Sequence, residues 1–248
     1  MKSIVLDERF IVNINGTSDG SQDKYYKEGI WYKKDFYGGE GEAETAASII
    51  LENSGIEDKR YVRYEQILVN GEKGCCSADF LKDGEEFVTF YRLYSMVKGG
   101  DIANVLSRMD YDDAIDFVIR FVNSQTGLDV REYIANVLAL DYIILNTDRH
   151  MNNLGVIFDG TDFREAPIFD NGKSMFVGVK EITDSDTLDI KIKKCYAKGF
   201  SASYELNYNY LKNYVTFQSD KKAIIDALYK ENISQGKIEL VITRLEQL

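Results

Sequence analysis

Asp148, Asn153 and Asp170 each stand at the end of an apolar stretch in this chain of 248 residues, and their types and spacing suit one chemistry. A carboxylate on a loop is ionised at neutral pH and can orient a hydroxyl or accept its proton. An amide oxygen five residues later can ligate Mg2+ without adding charge that would repel phosphate. A second carboxylate at a strand end can bridge that metal to the β- and γ-phosphates of ATP. A proton acceptor beside a divalent-cation site is what phosphoryl transfer from ATP requires.

The elements that must position these groups are legible around them. An apolar helical run over 134–145 feeds the polar loop, an apolar strand follows at 154–158, and after a turn a second apolar strand at 167–169 ends on Asp170. DRHMNN and FDNG taken singly read as ordinary turn sequences. The succession of apolar helix, Asp-x4-Asn, strand and Asp-x-Gly does not reduce to turns. GKS at 172–174 is not a P-loop, because Pro167 stands where that motif needs its first glycine. His150 is the only histidine, so multi-histidine metal sites are excluded and a hydrogen-bonded structural role fits it.

Upstream, residues 39–53 predict a helix. Ala43, Ala46, Ala47, Ile50 and Leu51 recur at helical spacing and Gly55 lies just past the end. At about 100° per residue Glu44 projects within about 20° of Leu51, at the border of the apolar face. An acid there needs a cation if it is buried, and Lys33, on the strand over 29–33, is a candidate. Taken alone the two also read as solvated surface charges, since Lys and Glu are seldom buried. The loop NINGTSDGSQDKYYK reads either as an exposed hairpin loop or as a loop folding over phosphates, with Gly16 and Gly20 allowing close approach.

Further strands are expected at 3–6, 10–13, 61–68, 74–81 and 86–94. Helices are expected at 101–109, 111–124 and 130–145, with Asp101 and Asp129 capping two of them. The chain divides into a strand-rich part, 1–90, and a helical part, 91–248, packed as two lobes. Residues 191–198 (KIKKCYAK) form a basic run that reads as a solvated face or, less often, as a patch orienting an acidic substrate, and 219–230 and 235–248 close the chain as amphipathic helices.

A net charge of −11 argues against direct nucleic-acid binding or an anionic membrane as partner. Three cysteines, two of them adjacent, give neither a disulfide framework nor a zinc spacing, which fits a reducing cytoplasm. The first residues do not read as a signal peptide, and no apolar run reaches the ~18 residues of a membrane span. The expected location is cytoplasmic, with a secreted effector left open.

NTDRHMNN followed by APIFDNGKS resembles the catalytic segment of the HipA-like serine/threonine kinases, a bacterial branch of the protein-kinase-like fold. D-R-H-x-x-N also resembles the phosphatidylinositol 3/4-kinases. GTSDGSQDK is similar to the HipA-like phosphate loop, in which Gly-x-Gln-x-Lys follows a serine that can be autophosphorylated. WYKKD with EGEAETAAS resembles the nucleotide lysine and its helix glutamate, CCSADFL an inner strand of the small lobe, and EFVTFYRLY the strand leading into the adenine hinge. The resemblance spans residues 13–176.

It implies an α+β, bilobal protein-kinase-like fold with ATP and Mg2+ between a β-rich N-lobe carrying one key helix and a larger, mainly helical C-lobe. Asp148 would be the catalytic base and Asn153 and Asp170 the metal ligands. Lys33, paired with Glu44, would hold the α/β-phosphates, with Lys34 as the neighbouring alternative. Gly16, Thr17, Ser18, Gly20, Gln22 and Lys24 would belong to the phosphate loop. The implied reaction is γ-phosphoryl transfer to a Ser or Thr of a protein substrate, with autophosphorylation at Thr17, Ser18 or Ser21. Adding ~1.5–2 negative charges to a loop that cradles phosphate would inhibit ATP binding. The resemblance further implies a toxin–antitoxin kinase with a small antitoxin-like partner protein. Two departures stand out: Asn171 replaces the Phe of many protein kinases, and the N-terminal part is short beside relatives with an extra subdomain, which leaves substrate contacts to a partner chain. A small-molecule or inositol-lipid kinase and an ATP-binding pseudokinase module are the alternative readings.

Overall fold

In the computed structural model, which describes residues 1–12, 23–218 and 220–248, strand-forming residues near the N-terminus build one five-stranded sheet. β1 (Lys2–Ile4), β2 (Lys24–Lys27), β3 (Ile30–Lys34), β4 (Glu65–Val69) and β5 (Glu72–Ala78) lie in the order β1-β4-β5-β3-β2, parallel only between β1 and β4. Glu28 and Gly29 both take positive φ (51° and 78°), as a two-residue hairpin between β2 and β3 demands.

Side chains alternate across this sheet. One face carries Tyr25, Tyr32, Ile67 and Val69 and is covered by Leu6, Phe10 and Ile11 of the N-terminal segment. The other carries Lys33 and Cys75, which are register partners, and turns towards Tyr64, Phe80 and Phe169. Over the described residues 10–12 the strand expected at 10–13 is not formed, and residue 13 lies outside the described residues. Glu8–Phe10 form a 3-10 turn and Ile11 makes a single bridge to Tyr25, so this segment works as an apolar cover.

α1 (Glu40–Glu52) lies against β4 and β5, while its Ala46, Ala47, Ile49, Ile50 and Leu51 join the buried core of the helical lobe. The entry turn is tied by two carboxylates. Asp35 accepts the N–H groups of Gly39 and Gly41 (2.7 and 2.8 Å), and Glu40 accepts those of Phe36 and Tyr37 (2.9 and 2.6 Å). A Cβ on Gly41 would lie 2.5 Å from the Gly74 backbone, and one on Gly74 would lie 2.0 Å from Lys33 O. The helix therefore approaches the sheet as closely as backbone allows.

The strand expected over 86–94 is shorter, and a helix takes its second half. Only β6 (Glu86–Thr89) is extended, and the Thr89 hydroxyl accepts the N–H of Arg92 (2.9 Å), starting α2 (Phe90–Lys98). β6 also leaves the first sheet and pairs with the hairpin of the second lobe. α3 (Ile102–Leu106) and α4 (Tyr111–Thr126) follow, and then α5 (Arg131–Ile144), buried on every side from Tyr133 onward. Asp101 and Asp129 accept the N–H groups of Ala103 and Arg131 at two of these helix starts.

β7 (Gly155–Phe158) joins β6 on one side and β8 (Phe163–Glu165) on the other. The expected strand at 167–169 is therefore displaced: the hairpin partner is β8. Ile168 instead bridges to Tyr61 of the first lobe, accepting the Val62 N–H (2.9 Å) and donating to Arg60 O (2.8 Å). Residues 60–62 make this inter-lobe bridge, and β4 begins only at Glu65. Phe80, Phe87 and Phe169 meet edge to face across the junction (centroids 5.6 and 5.3 Å).

After a long irregular segment, α6 (Leu188–Lys193), α7 (Tyr204–Leu211), α8 (Lys221–Lys230) and α9 (Gln235–Glu246) complete the second lobe. Lys237 of α9 reaches back to Gly39 O and Glu42, both at 2.9 Å, bracing the start of α1. The result is a bilobal α+β fold with a small β-rich lobe carrying one helix and a larger, mainly helical lobe. Among the described residues, no helix is long and apolar enough to cross a membrane.

Candidate active site

The polar loop after α5 is built on a buried arginine. Arg149 forks both carboxylate oxygens of Asp141 (2.9–3.3 Å) and donates to Phe169 O (2.9 Å) and Asn171 Oδ1 (2.7 Å). Asp141 faces into an apolar helix bundle, where burial pushes its carboxyl up and Arg149 opposes the shift. One guanidinium thus locks the end of α5, the loop and the residues around Asp170 into one body. Leu145 (φ 51°) and Asp170 (φ 60°), both non-glycine residues in the left-handed region, flank the site, where backbone strain tends to be stored for function.

From this body Asp148 projects at the rim with its side chain 26% exposed. The loop is shaped by Asn146, whose Oδ1 accepts the Asp148 N–H (2.9 Å). Lys173 Nζ lies 3.1 Å from Asp148 Oδ2, and Lys198 Nζ lies 2.8 Å from Oδ1. Half-buried His150 accepts the Asn152 N–H at Nδ1 (3.3 Å), and burial lowers its pKa; this is the structural role its chemistry suggested.

Asn153 and Asp170 come together from loop and hairpin, with Asn153 Nδ2 donating to Asp170 Oδ2 at 2.6 Å. Among the described residues the buried Asn153 Oδ1 has no hydrogen-bond partner. An orphaned amide oxygen beside a carboxylate suits a hard cation, which would satisfy both oxygens at once. Among the described residues no cluster of three or more His, Cys, Asp or Glu could hold a metal. Asn153 and Asp170 could hold a hard cation whose remaining oxygens came from phosphate and water.

Opposite them, Lys33 Nζ lies 2.9 Å from both Glu44 Oε1 and Asp170 Oδ1, and 5.1 Å from the Tyr64 ring centroid. Glu44 is buried, and its Oε2 accepts the Asn171 N–H (2.8 Å). Burial works against charge on all three ionisable groups. Even so, Asp170 and Glu44 hold the Lys33 pKa well above its usual value, and Lys33 with Lys24 holds the Asp170 carboxyl well below the carboxylate range. Of the two candidate lysines, Lys33 enters the cleft. Lys34 points to the opposite face, where it pairs with Glu72 (2.7 Å). Lys24 is the register partner of Lys33, so the two side chains share the cleft face; burial lowers the Lys24 pKa while Asp170 raises it.

The geometry therefore gathers Lys24, Lys33, Glu44, Asn153 and Asp170 in one cleft, with Asp148 on its rim. Gly16, Thr17, Ser18, Gly20, Ser21 and Gln22 lie outside the described residues. Three functional candidates escaped the sequence reading: Arg149, Lys173 and Lys198. A signal for the first was available, because Asp141 within the run ANVLALDYIIL demands a buried cation. Asn171 also acquires a role, as a polar strut between Arg149 and Glu44.

A five-stranded sheet with one bracing helix, set over a helical lobe that carries a polar loop and a hairpin, defines a kinase-like bilobal fold. Solved structures that share it include the proinflammatory kinase CtkA of Helicobacter pylori, and HipA of Shewanella oneidensis in complex with HipB and operator DNA. The first matches with TM-score 0.63 and 15% identity over 91% of this chain and 89% of CtkA. The second matches with TM-score 0.57 and 12% identity over 98% of this chain and 66% of HipA, so the chain corresponds to about two thirds of that protein. No family model matches the sequence, and no curated protein matches it.

Proposed function

We propose that this chain is an ATP- and Mg2+-dependent kinase that transfers the γ-phosphoryl group to a Ser or Thr hydroxyl of a protein. The observation that carries the reading is the convergence of Lys33, Glu44, Asn153 and Asp170, from four separate segments, beside the loop of Asp148. Lys33, oriented by Glu44, holds phosphate oxygens of the nucleotide, and Lys24 adds a second ammonium on the same cleft face. Asn153 Oδ1 and Asp170 would hold Mg2+, which neutralises charge developing on the phosphates. Asp148 orients the acceptor hydroxyl and takes its proton.

The string GSQDK following Thr17 and Ser18 supports autophosphorylation within 16–24, with loss of ATP affinity as its consequence. The HipA neighbour, solved with HipB, supports a small antitoxin-like protein as partner. A cytoplasmic location fits the three free cysteines.

The test supplies γ-labelled ATP and Mg2+ to the purified protein together with a protein mixture and, separately, an inositol-lipid panel. Label recovered on Ser or Thr of protein is the expected result. Label on lipid would replace it with an inositol-lipid kinase, and tight ATP binding without turnover would leave an interaction module.

A further inference from the structure

Two sequence features, the discarded GKS and the basic run KIKKCYAK, converge on Asp148. Lys173, from the first, contacts one carboxylate oxygen, and Lys198, from the second, contacts the other. The two lysines are held differently. The Lys198 side chain is 59% exposed and lines an open cleft of about 710 Å3 beside His150 and residues 197–202, away from the nucleotide lysines. Lys173 is 33% exposed and tethered at both ends. Its carbonyl accepts the N–H and hydroxyl of Thr147 (2.9 and 3.0 Å), the residue next to Asp148. Its ammonium lies 5.7 Å from the Tyr37 ring centroid at the entry to α1.

Lys173 follows Asp170 by three residues and feels that carboxylate as well as Asp148. It is thus joined through the chain to the group that would hold the metal, and by its ammonium to the group that would take the proton. The phosphoryl group must pass from the first of these to the second.

Resting on the kinase reading above, we infer that Lys173 is a further catalytic residue, whose ammonium binds the γ-phosphoryl oxygens as the group passes from ATP to the acceptor. In that step the bond between the γ-phosphorus and the β–γ bridging oxygen breaks and ADP leaves with the bonding electrons. The acceptor oxygen bonds to phosphorus, and its proton goes to Asp148. Lys173 exchanges its contact with Asp148 for the phosphoryl oxygens, which frees a carboxylate oxygen for that proton. A placed cation of this kind acts where charge is redistributed, and its loss costs on the order of 100-fold in rate.

The experiment is single-turnover phosphoryl transfer by wild type, Lys173→Met and Lys173→Arg, beside ATP affinity by calorimetry and the thermal midpoint of each. The expected result for Lys173→Met is a transfer rate reduced ~100-fold with ATP affinity within about threefold of wild type and an unchanged midpoint. Lys173→Arg should recover at least about a tenth of the rate. Transfer by Lys173→Met at the wild-type rate would overturn the inference and leave the kinase reading standing. So would a loss of rate matched by equal losses of ATP affinity and midpoint. A wild-type protein that binds ATP and transfers nothing would overturn both.

Discussion

Glu44 Oε2 accepts the backbone N–H of Asn171 at 2.8 Å, so the helix of the small lobe is bonded directly to the residue after Asp170. The other oxygen of the same carboxylate accepts from Lys33 Nζ at 2.9 Å. One buried acid thereby sets the direction of the Lys33 side chain and ties the helix of the small lobe to the segment after Asp170. Glu44→Ala removes both contacts and, among the described residues, leaves Lys33 with Asp170 and the Tyr64 ring. The expected loss is about 3 kcal/mol of unfolding free energy in urea denaturation. A loss below about 1 kcal/mol would mean that the lobes are held elsewhere.

Arg149→Lys keeps the charge and loses the fork. The lysine can meet Asp141 at one point, which leaves Phe169 O and Asn171 Oδ1 without the donors they now have. Destabilisation of about 3 kcal/mol is expected, with loss of phosphoryl transfer because Asp148 and Asp170 share the body that Arg149 ties. Wild-type stability measured by denaturant titration would contradict this account.

Gly41→Ala adds a methyl group where 2.5 Å separates its position from the Gly74 backbone. Since neither backbone can move independently, α1 must retreat from the sheet and carry Glu44 away from Lys33. We expect a loss of about 1–3 kcal/mol or more and weaker ATP binding, read by denaturation and calorimetry together. An unchanged ATP affinity would show that the close approach does not set the Lys33–Glu44 pair.

Alkaline pH should destabilise the fold through its buried acids. Burial pushes the Cys195 thiol up to about 12 from an ordinary 9.0, and it also raises Cys75, Tyr64, Tyr133 and Tyr204. Above pH 9 the unfolded chain begins to release protons that the folded chain retains. Stability is therefore present below the ordinary values and declines as pH rises from 9 towards 12, by up to about 1.4 kcal/mol per unit for each such group. Urea midpoints at pH 8, 9, 10 and 11 measure it, and a flat profile would show that these groups titrate in the folded protein as they do in water.

The architecture was readable where a periodicity was strong and its ends were marked. α1, α4 and α5 lie close to their expected bounds because helical spacing of apolar residues runs to a cap or a glycine. FVTFYRLY misled because alternating apolar residues suit strand and helix alike over so short a run, and the decision belongs to the capping hydroxyl of Thr89. PIF at 167–169 reads as a strand by composition, yet FRE, with a charged centre, takes the hairpin pairing, since β8 is a partly exposed edge. Within the site, Asn153 and Asp170 could be picked out as polar groups at the ends of apolar elements, whereas Lys33 and Glu44 read equally as solvated charges and are paired by the resemblance. Lys173 and Lys198 could not, because their shared partner Asp148 lies 25 and 50 positions away and only the folded chain brings them to it.

The central claim is that this cleft transfers a phosphoryl group from ATP. Its most direct test is the intact mass of the full chain after incubation with ATP and Mg2+, beside Asp148→Asn and Asp170→Asn. The account predicts a gain of about 80 Da, one phosphoryl group, in the wild type alone, mapping to 16–24. Equal gains in all three proteins, or neither mass gain nor ATP binding in the wild type, would contradict it.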